Sequence, residues 1–540
     1  MLSLLIFVPI IGGFIGWFSV IATLKARTAL SEKLVSIEVS TLPVMARLKT
    51  HLIYHCASLI ALLTMLVVLA LVAMLWVDNL SVIKTGQSWL MIQDTAWIAF
   101  LNIRFHLLLD GFSLVFITLT VILTILTIVY SRKEKHTNIG LYYFCILWMA
   151  AGVIGLFMAM DMFLFFLFWE MVAIPLYFLI ALWGRRDSSA QLRFNGATKF
   201  LIFTQVSSLL MLISIISLVL INWRLTNKWT FDYYLLTKTP ISSFTEFFLM
   251  LGFFVAFMVR IPLIPFHGWF VTAHIESSTT GSMIISGLLT NTAIYGMLRF
   301  VIPMFPNASL AFMPVAVSLG MCTLFYAALL AFSQNDIKRL LAYTHIALLG
   351  FITVAIYIGN VLTYQGIIIQ TIAMSLSIVG LFIIGGLLAE RYLTRNIKKF
   401  VGLRGHVRYL PAFTIFFALA VLGVPGTANF SGNLMLLFGS YADFSLVSVL
   451  LTIGLILIAV AVLVRMQPIF YGLTTAEPIK IAVIYRELSR RDLFLLITLL
   501  ILLVAIGVYP QPILDTSYSV IYKIQQFYNT AQPALIEGGV

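Results

Sequence analysis

Glu170 is the first residue whose chemistry stands out. It sits in Phe166-Leu167-Phe168-Trp169-Glu170-Met171-Val172-Ala173-Ile174-Pro175, an apolar run with no second charge. Arg260 is isolated in the same way, just ahead of Ile261-Pro262-Leu263-Ile264-Pro265-Phe266-His267. Holding either charge at membrane depth costs about 3 kcal/mol, which favours pairing the two or giving them a hydrated route. Two chemistries are then open. Glu170 takes up and releases a proton, its affinity set by the nearby cation, or the two side chains form a static ion pair. Arginine stays protonated in proteins, so Arg260 can tune Glu170 but cannot relay a proton.

The other candidates are polar residues in or beside apolar runs. His267 and His274 follow the proline pair, and His345 lies further along. Histidine shuttles protons near neutrality; a hydrogen-bonded structural role is the alternative for each. Lys199 falls at a helix start, where its stem can snorkel to the interface. Arg299 and Asp336 read as interfacial. Cys56, Cys145 and Cys322 lie in apolar runs without CxxC spacing, which argues against a disulfide framework or a metal site. No HExxH, P-loop, GxSxG or strand–helix GxGxxG motif is present, so no catalytic constellation of soluble-enzyme type is expected.

These residues are embedded in a chain of 540 that is 61% hydrophobic and only 10% charged. Mean hydropathy is +1.06. A soluble chain carries about 25% charge, so a soluble multidomain enzyme is excluded and an all-α polytopic membrane protein is expected. Runs of about 20 apolar residues give about 14 spans, near 2–24, 52–77, 106–130, 141–160, 162–183, 199–222, 244–267, 278–302, 309–332, 339–359, 362–388, 409–438, 446–468 and 493–513. The loop at 25–51 is the longest between spans, and the tail from about 514 is polar and partly disordered by expectation. With both termini outside, 25 of the 33 Lys and Arg residues fall in inside segments, Lys338 and Lys199 among them, and seven fall outside. That is the positive-inside bias. It accounts for the net charge of +13 without a nucleic-acid partner. The expected site is the bacterial inner (plasma) membrane, with both termini periplasmic and the lipid bilayer as surroundings.

Two spans carry internal breaks. Pro262 and Pro265 interrupt the seventh, and Pro425 and Gly426 interrupt the twelfth, in Gly423-Val424-Pro425-Gly426-Thr427-Ala428-Asn429-Phe430-Ser431-Gly432-Asn433. Proline removes a donor and breaks the helix, and such backbone is tolerated at membrane depth only where protein or a hydrated cavity covers it. The breaks are five spans apart. This spacing points to a five-helix unit used twice in inverted orientation, with ordinary proline kinking as the alternative. The implied division is 1–140 for the first three spans, 141–302 for the first repeat, 303–470 for the second, and 471–540 for the last span and tail.

At this point the sequence resembles the M chains of bacterial NADH:quinone oxidoreductase (respiratory complex I), homologous to mitochondrial NADH dehydrogenase subunit 4, within the Mrp antiporter-like family. The stretches that carry the resemblance are His106 to Ser113, Phe168-Trp169-Glu170, Ala197-Thr198-Lys199-Phe200 with Gln205, and Pro262 to Trp269. They continue with Ala273-His274, Gly281-Ser282, Asp336 to Tyr343, Gln365-Gly366 and Gly423 to Phe430, in order across roughly 90–475. The resemblance implies a fourteen-helix antiporter-like subunit that couples remote electron transfer to proton translocation. It also implies no redox cofactor in this chain: NADH, flavin, iron–sulfur clusters and quinone belong to partner subunits of the membrane-arm assembly. The alternatives are an ion or inorganic-carbon transporter module of another assembly, or a non-pumping structural subunit.

The resemblance also implies an intramembrane row of ionisable residues. Its glutamate on the fifth helix is matched by Glu170. Its lysine on the seventh falls at Arg260, and its lysine on the eighth at Asn291. Histidines of the tenth and eleventh helices fall at Leu348 and Met374, and a glutamate of the twelfth at Asn433. Four positions thus lack ionisable chemistry. His345 lies three residues before Leu348, roughly one helical turn away, where it could stand in for the lost histidine in part.

Overall fold

The computed structural model describes residues 1–34, 42–84, 86, 89–134, 136–185, 187–399, 408–472 and 488–537. Lys135, Arg186, Arg404, Lys480 and Arg486 of the basic inside loops lie outside the described residues. Thirteen of the described helices are long and apolar enough to cross a membrane. A fourteenth crossing is divided between Leu410–Leu422 and Ala428–Asp443. The described residues are therefore all-α apart from one β-hairpin. Peripheral spans keep large apolar side chains such as Leu63, Ile213, Leu329 and Ile456 exposed, a surface that suits hydrocarbon. The helices Thr279–Met304 and Val361–Tyr392 form the wholly buried centre.

Aspartates fix where several spans begin. Asp110 accepts from Ser113 N at 2.8 Å, Asp161 from Phe163 N and Leu164 N at 3.0 Å each, and Asp336 from Lys338 N at 2.8 Å. Each satisfies N–H groups that the first turn leaves without partners. The third span therefore starts at Gly111, not at 106. Residues expected to open it belong to a hairpin, Met91–Ile98 paired antiparallel with Ile103–Leu109, which turns through Asn102 in left-handed conformation. Asp336, read as interfacial, caps the start of the helix Ile337–Ile358, whereas Arg299 is buried inside the protein.

The expected 25–51 loop is also shorter than read. Helices run from Leu2 to Leu34 and from Leu42 to Asp78, with 35–41 outside the described residues. The polar tail is a helix, Gln511–Glu537, that buries Ser517, Val520, Ile521, Ile524 and Tyr528. Tyr528 OH donates to Tyr357 O at 2.8 Å. A Cβ at Gly111 would lie 1.7 Å from Thr516 O, so only glycine lets the tail helix approach the third span this closely.

Both proline-containing segments break, and neighbouring elements cover the freed backbone. Helix Ser243–Arg260 stops, and helix Gly268–Glu276 follows. Between them Ile264 N donates to Thr323 Oγ1 at 3.1 Å, and Trp269 Nε1 donates to Val259 O at 2.9 Å. In the twelfth span the break is confined to 423–427, where Gly423 and Gly426 have positive φ. Helix resumes at Ala428, earlier than the Gly423–Asn433 stretch suggests by eye. Gly507 of the last span lies against Thr427 and Ala428 backbone, and Ser431 Oγ donates to Gly507 O at 3.0 Å.

The hairpin is latched to the 158–162 and 230–233 segments. Met160 N donates to His106 O, Met162 N to Phe231 O and Tyr233 N to Met160 O. His106 Nδ1 meets Asp232 Oδ2 at 2.9 Å, and Arg104 N donates to Asp161 Oδ2 at 3.1 Å. The bond to Asp232 raises the His106 pKa from 6.5. Burial pushes Asp232 up, but the bonds from His106 and from Leu235 N outweigh it and leave the carboxyl below its ordinary value of 3.8. Burial holds Asp161 up at about 6, against the N–H groups of Leu164, Arg104 and Phe163. The linkage signs follow. The His106 contribution is complete below 6.5 and is lost as pH rises through its raised folded value. The Asp232 contribution is lost only in acid, and ionisation of Asp161 weakens the latch as pH climbs towards 6. Hydrogen-exchange protection of the hairpin amides is expected to fall as pH rises above 6.5, after correction for intrinsic rates. His106→Gln should remove that fall; an undiminished fall in the variant would count against the latch.

Candidate proton path

Glu170 is half-buried on the fifth span and accepts a hydrogen bond from Gln205 Nε2 of the sixth. Arg260 is 1% exposed at the end of helix Ser243–Arg260. Its guanidinium lies over the Trp169 ring, 3.3 Å from the centroid, and donates to Trp169 O at 3.2 Å and to Thr292 Oγ1 at 3.4 Å. The expected direct ion pair between Glu170 and Arg260 is therefore not formed. The arginine spends its donors on the residue beside Glu170, because a flat guanidinium stacks on an indole face. Glu170 still lies within electrostatic reach of the cation, while its own hydrogen bond goes to a neutral amide.

Lys199 is exposed on the same side, with Nζ 3.5 Å from Thr272 Oγ1. His267 is half-buried and faces the Tyr326 and Tyr343 rings at 5.5 and 6.4 Å. Pro262 is buried in the first break; Pro265, Pro425 and Gly426 are exposed. His274 and His345 are wholly buried, each in edge contact with Phe270.

Around Asn291, Ser375 and Asn429 the buried polar groups are amides and hydroxyls. Asn291 Nδ2 donates to Gly287 O at 2.7 Å and to Ser375 Oγ at 2.9 Å, while Ser375 Oγ reaches Asn291 Oδ1 at 3.1 Å. Asn429 Nδ2 donates to Ser377 Oγ at 3.2 Å. Asn433 is buried beside Gly423, and Gln370 beside Gly432. Leu348 and Met374 are fully buried. Amides and hydroxyls can orient water, but they cannot hold a proton near neutral pH.

The family model for NADH:quinone oxidoreductase/Mrp antiporter transmembrane proteins matches residues 159–460. NADH-quinone oxidoreductase subunit M of Escherichia coli strain K12 is 46% identical over 475 residues, spanning 87% of this chain and 92% of the relative. The chain belongs to this family. Subunit M of Pseudomonas aeruginosa is 43% identical over 88% of this chain and 94% of the relative, and NADH-ubiquinone oxidoreductase chain 4 of Chondrus crispus is 33% identical over 82% and 87%. In fold, the chain superposes on a chain of Thermus thermophilus respiratory complex I with a TM-score of 0.80 at 22% identity, covering 98% of this chain and 100% of that one. A chain of the archaeal membrane-bound sulfane sulfur reductase gives 0.76 at 19% identity, over 98% and 99%.

This member of the NADH:quinone oxidoreductase/Mrp antiporter family holds further ionisable groups that reading by residue type missed. Lys338, counted above as an inside-loop charge, is 2% exposed. Its ammonium donates to Ser277 O at 2.8 Å, Ser278 O at 3.1 Å and Ser282 Oγ at 3.1 Å. Asp336, two residues earlier, was the available signal, since an N-cap there puts Lys338 in the first turn. Asp110 and Arg299 form a fully buried ion pair, with Arg299 Nε also donating to Tyr295 OH at 3.1 Å. Asn291 itself lies between two π-helical stretches, Ile285–Leu289 and Met297–Val301. Such turns recur at functional sites, and apolar periodicity gives no sign of them.

Proposed function

We propose that the chain is the M-type membrane-arm subunit of an NADH:quinone oxidoreductase and helps couple electron transfer to proton translocation. The observation that carries this reading is the 46% identity to a subunit M across 87% of the chain. The carboxylate of Glu170 and the broken seventh and twelfth spans support it. In this reading the fold is two inverted five-helix repeats, 141–302 and 303–470, in a bacterial inner membrane with both termini periplasmic. NADH, flavin, iron–sulfur clusters and quinone are held by partner subunits, and this chain supplies no redox group. Glu170 binds and releases the proton, and Arg260, fixed on Trp169, supplies a constant positive field beside it.

The amide at position 291 favours a second reading, a membrane subunit that takes part in assembly but moves no proton, or a module of another ion- or inorganic-carbon-transporting complex. Asn291 bonded to Ser375 is the observation behind it. Gentle detergent purification of the tagged chain separates these assemblies. Co-purified subunits with flavin and iron–sulfur absorbance are expected. Recovery with membrane subunits alone and no such absorbance would overturn the first reading.

A further inference from the structure

The first half of the broken twelfth span, Leu410–Leu422, and the thirteenth span, Ser445–Tyr471, leave a cleft of about 270 Å³ between them. Thr414, Ile415 and Ala418 line one side, and Leu463, Met466 and Tyr471 the other. Each set falls on a single helix face. The Thr414 hydroxyl donates to Leu410 O at 2.8 Å, so its polar atom is already satisfied and the walls are mainly apolar. Tyr471 is the last residue of its helix and Leu463 lies two turns earlier, so the cleft runs about 12 Å inward from the helix end. Val460 and Val464 of the same helix are exposed, which places the cleft on a surface that suits hydrocarbon.

Positive charge gathers at the end where the cleft begins. From Arg391 to Ala442 the sequence holds no Asp or Glu, but it holds Arg391, Arg395, Lys398, Lys399, Arg404 and Arg408. Arg408 is exposed two residues before helix Leu410–Leu422, with its guanidinium 5.2 Å from the centre of the Tyr409 ring. The turn Ile397–Lys399 packs against the thirteenth span and keeps Lys398 and Lys399 exposed. Helix Leu410–Leu422 starts without a side-chain cap at Tyr409, so its first-turn N–H groups add partial positive charge at the same end. Arg465, next to Met466, is already bonded to Phe332 O and is not counted in this group.

We propose that this cleft seats an acyl chain of one anionic phospholipid, with the lipid phosphate against Arg408 and the Lys398–Lys399 turn. Any lipid tail can fill an apolar cleft, so selection comes from the headgroup. Basic residues at the membrane surface favour anionic lipid, and a guanidinium meets phosphate oxygens through paired donors. The tail gives the facing walls close dispersion contacts along the cleft. Bound there, the lipid braces the first half of the twelfth span, whose far end opens into the break at 423–427. The site involves neither Glu170 nor Arg260, and it stands whether or not the chain moves a proton.

The test uses the purified full-length chain in detergent, stripped of native lipid. It is offered phosphatidylglycerol or phosphatidylcholine of identical acyl chains, and retained lipid is counted by native mass spectrometry. Phosphatidylglycerol is expected to be retained more strongly, by about five-fold for each basic residue engaged. Arg408→Gln is expected to remove that residue's share of the preference. Ala418→Phe, which fills the cleft, is expected to lower retention of both lipids. Equal retention of the two lipids by the parent chain overturns the proposal, and so does an undiminished preference in Arg408→Gln or undiminished retention in Ala418→Phe. Complete displacement of phosphatidylglycerol by inorganic phosphate alone would mark an anion site without a seated tail, and would overturn it too. Should the phenylalanine variant not fold, Arg408→Gln decides.

Discussion

Replacing Asp110 by alanine is expected to destabilise the chain by about 3–5 kcal/mol, the cost of leaving a buried partner charge alone. Arg299 is 4% exposed, and Asp110 is its carboxylate partner. Tyr295 OH, the other acceptor of the guanidinium, donates in turn to Phe157 O at 2.8 Å. Asp110 also caps the third span through Ser113 N, worth about 1 kcal/mol more. Gly111, next in sequence, packs closely against Thr516 of the tail helix, so loosening here is transmitted to that helix. Arg299→Met alone should be similarly harmful. Asp110→Asn with Arg299→Met should recover most of the loss, because asparagine keeps the cap and no charge is stranded. Thermal unfolding of the detergent-solubilised chain and its steady level in membranes measure this. Single variants as stable as the parent would mean that the pair contributes little.

What the sequence makes legible follows from how costs are distributed along it. A lone carboxylate in an apolar run is expensive, so Glu170 stands out from residue type alone. Proline leaves a mark in any helix, so both breaks are visible, though the exact resumption at Ala428 depends on packing against Gly507. Partner choice is not written in one dimension. Arg260 had two suitors one residue apart, Glu170 and Trp169, and the stack on the indole is decided by side-chain direction in the folded bundle. Lys338 read as a loop charge because charged neighbours surround it, yet Asp336 begins a helix there and turns the lysine inward. In the tail, Ser517, Ile521, Ile524 and Tyr528 recur at helical spacing. The polar residues between them hid an amphipathic helix behind the appearance of disorder. The hairpin likewise lay within an apolar stretch that suited the start of a span.

Glu170→Gln is expected to remove proton translocation through this chain while leaving its fold intact. The substitution preserves shape and polarity, and an amide oxygen can still accept from Gln205 Nε2. Under the proposed function, what it deletes is the one carboxylate that this chain keeps of the intramembrane row the family resemblance implies. Nothing else in that row restores the function, since Arg260 stays charged and Asn291 and Asn433 hold no proton. Electron transfer resides in partner subunits under the proposed function, so uncoupled NADH oxidation reports assembly independently. The decisive measurement is the number of protons taken up per NADH oxidised by proteoliposomes containing the complete assembly, with and without Glu170→Gln. The proposed function predicts a lower ratio in the variant at an unchanged uncoupled rate. An unchanged ratio would contradict it and leave the chain as a membrane subunit that conducts no proton through Glu170.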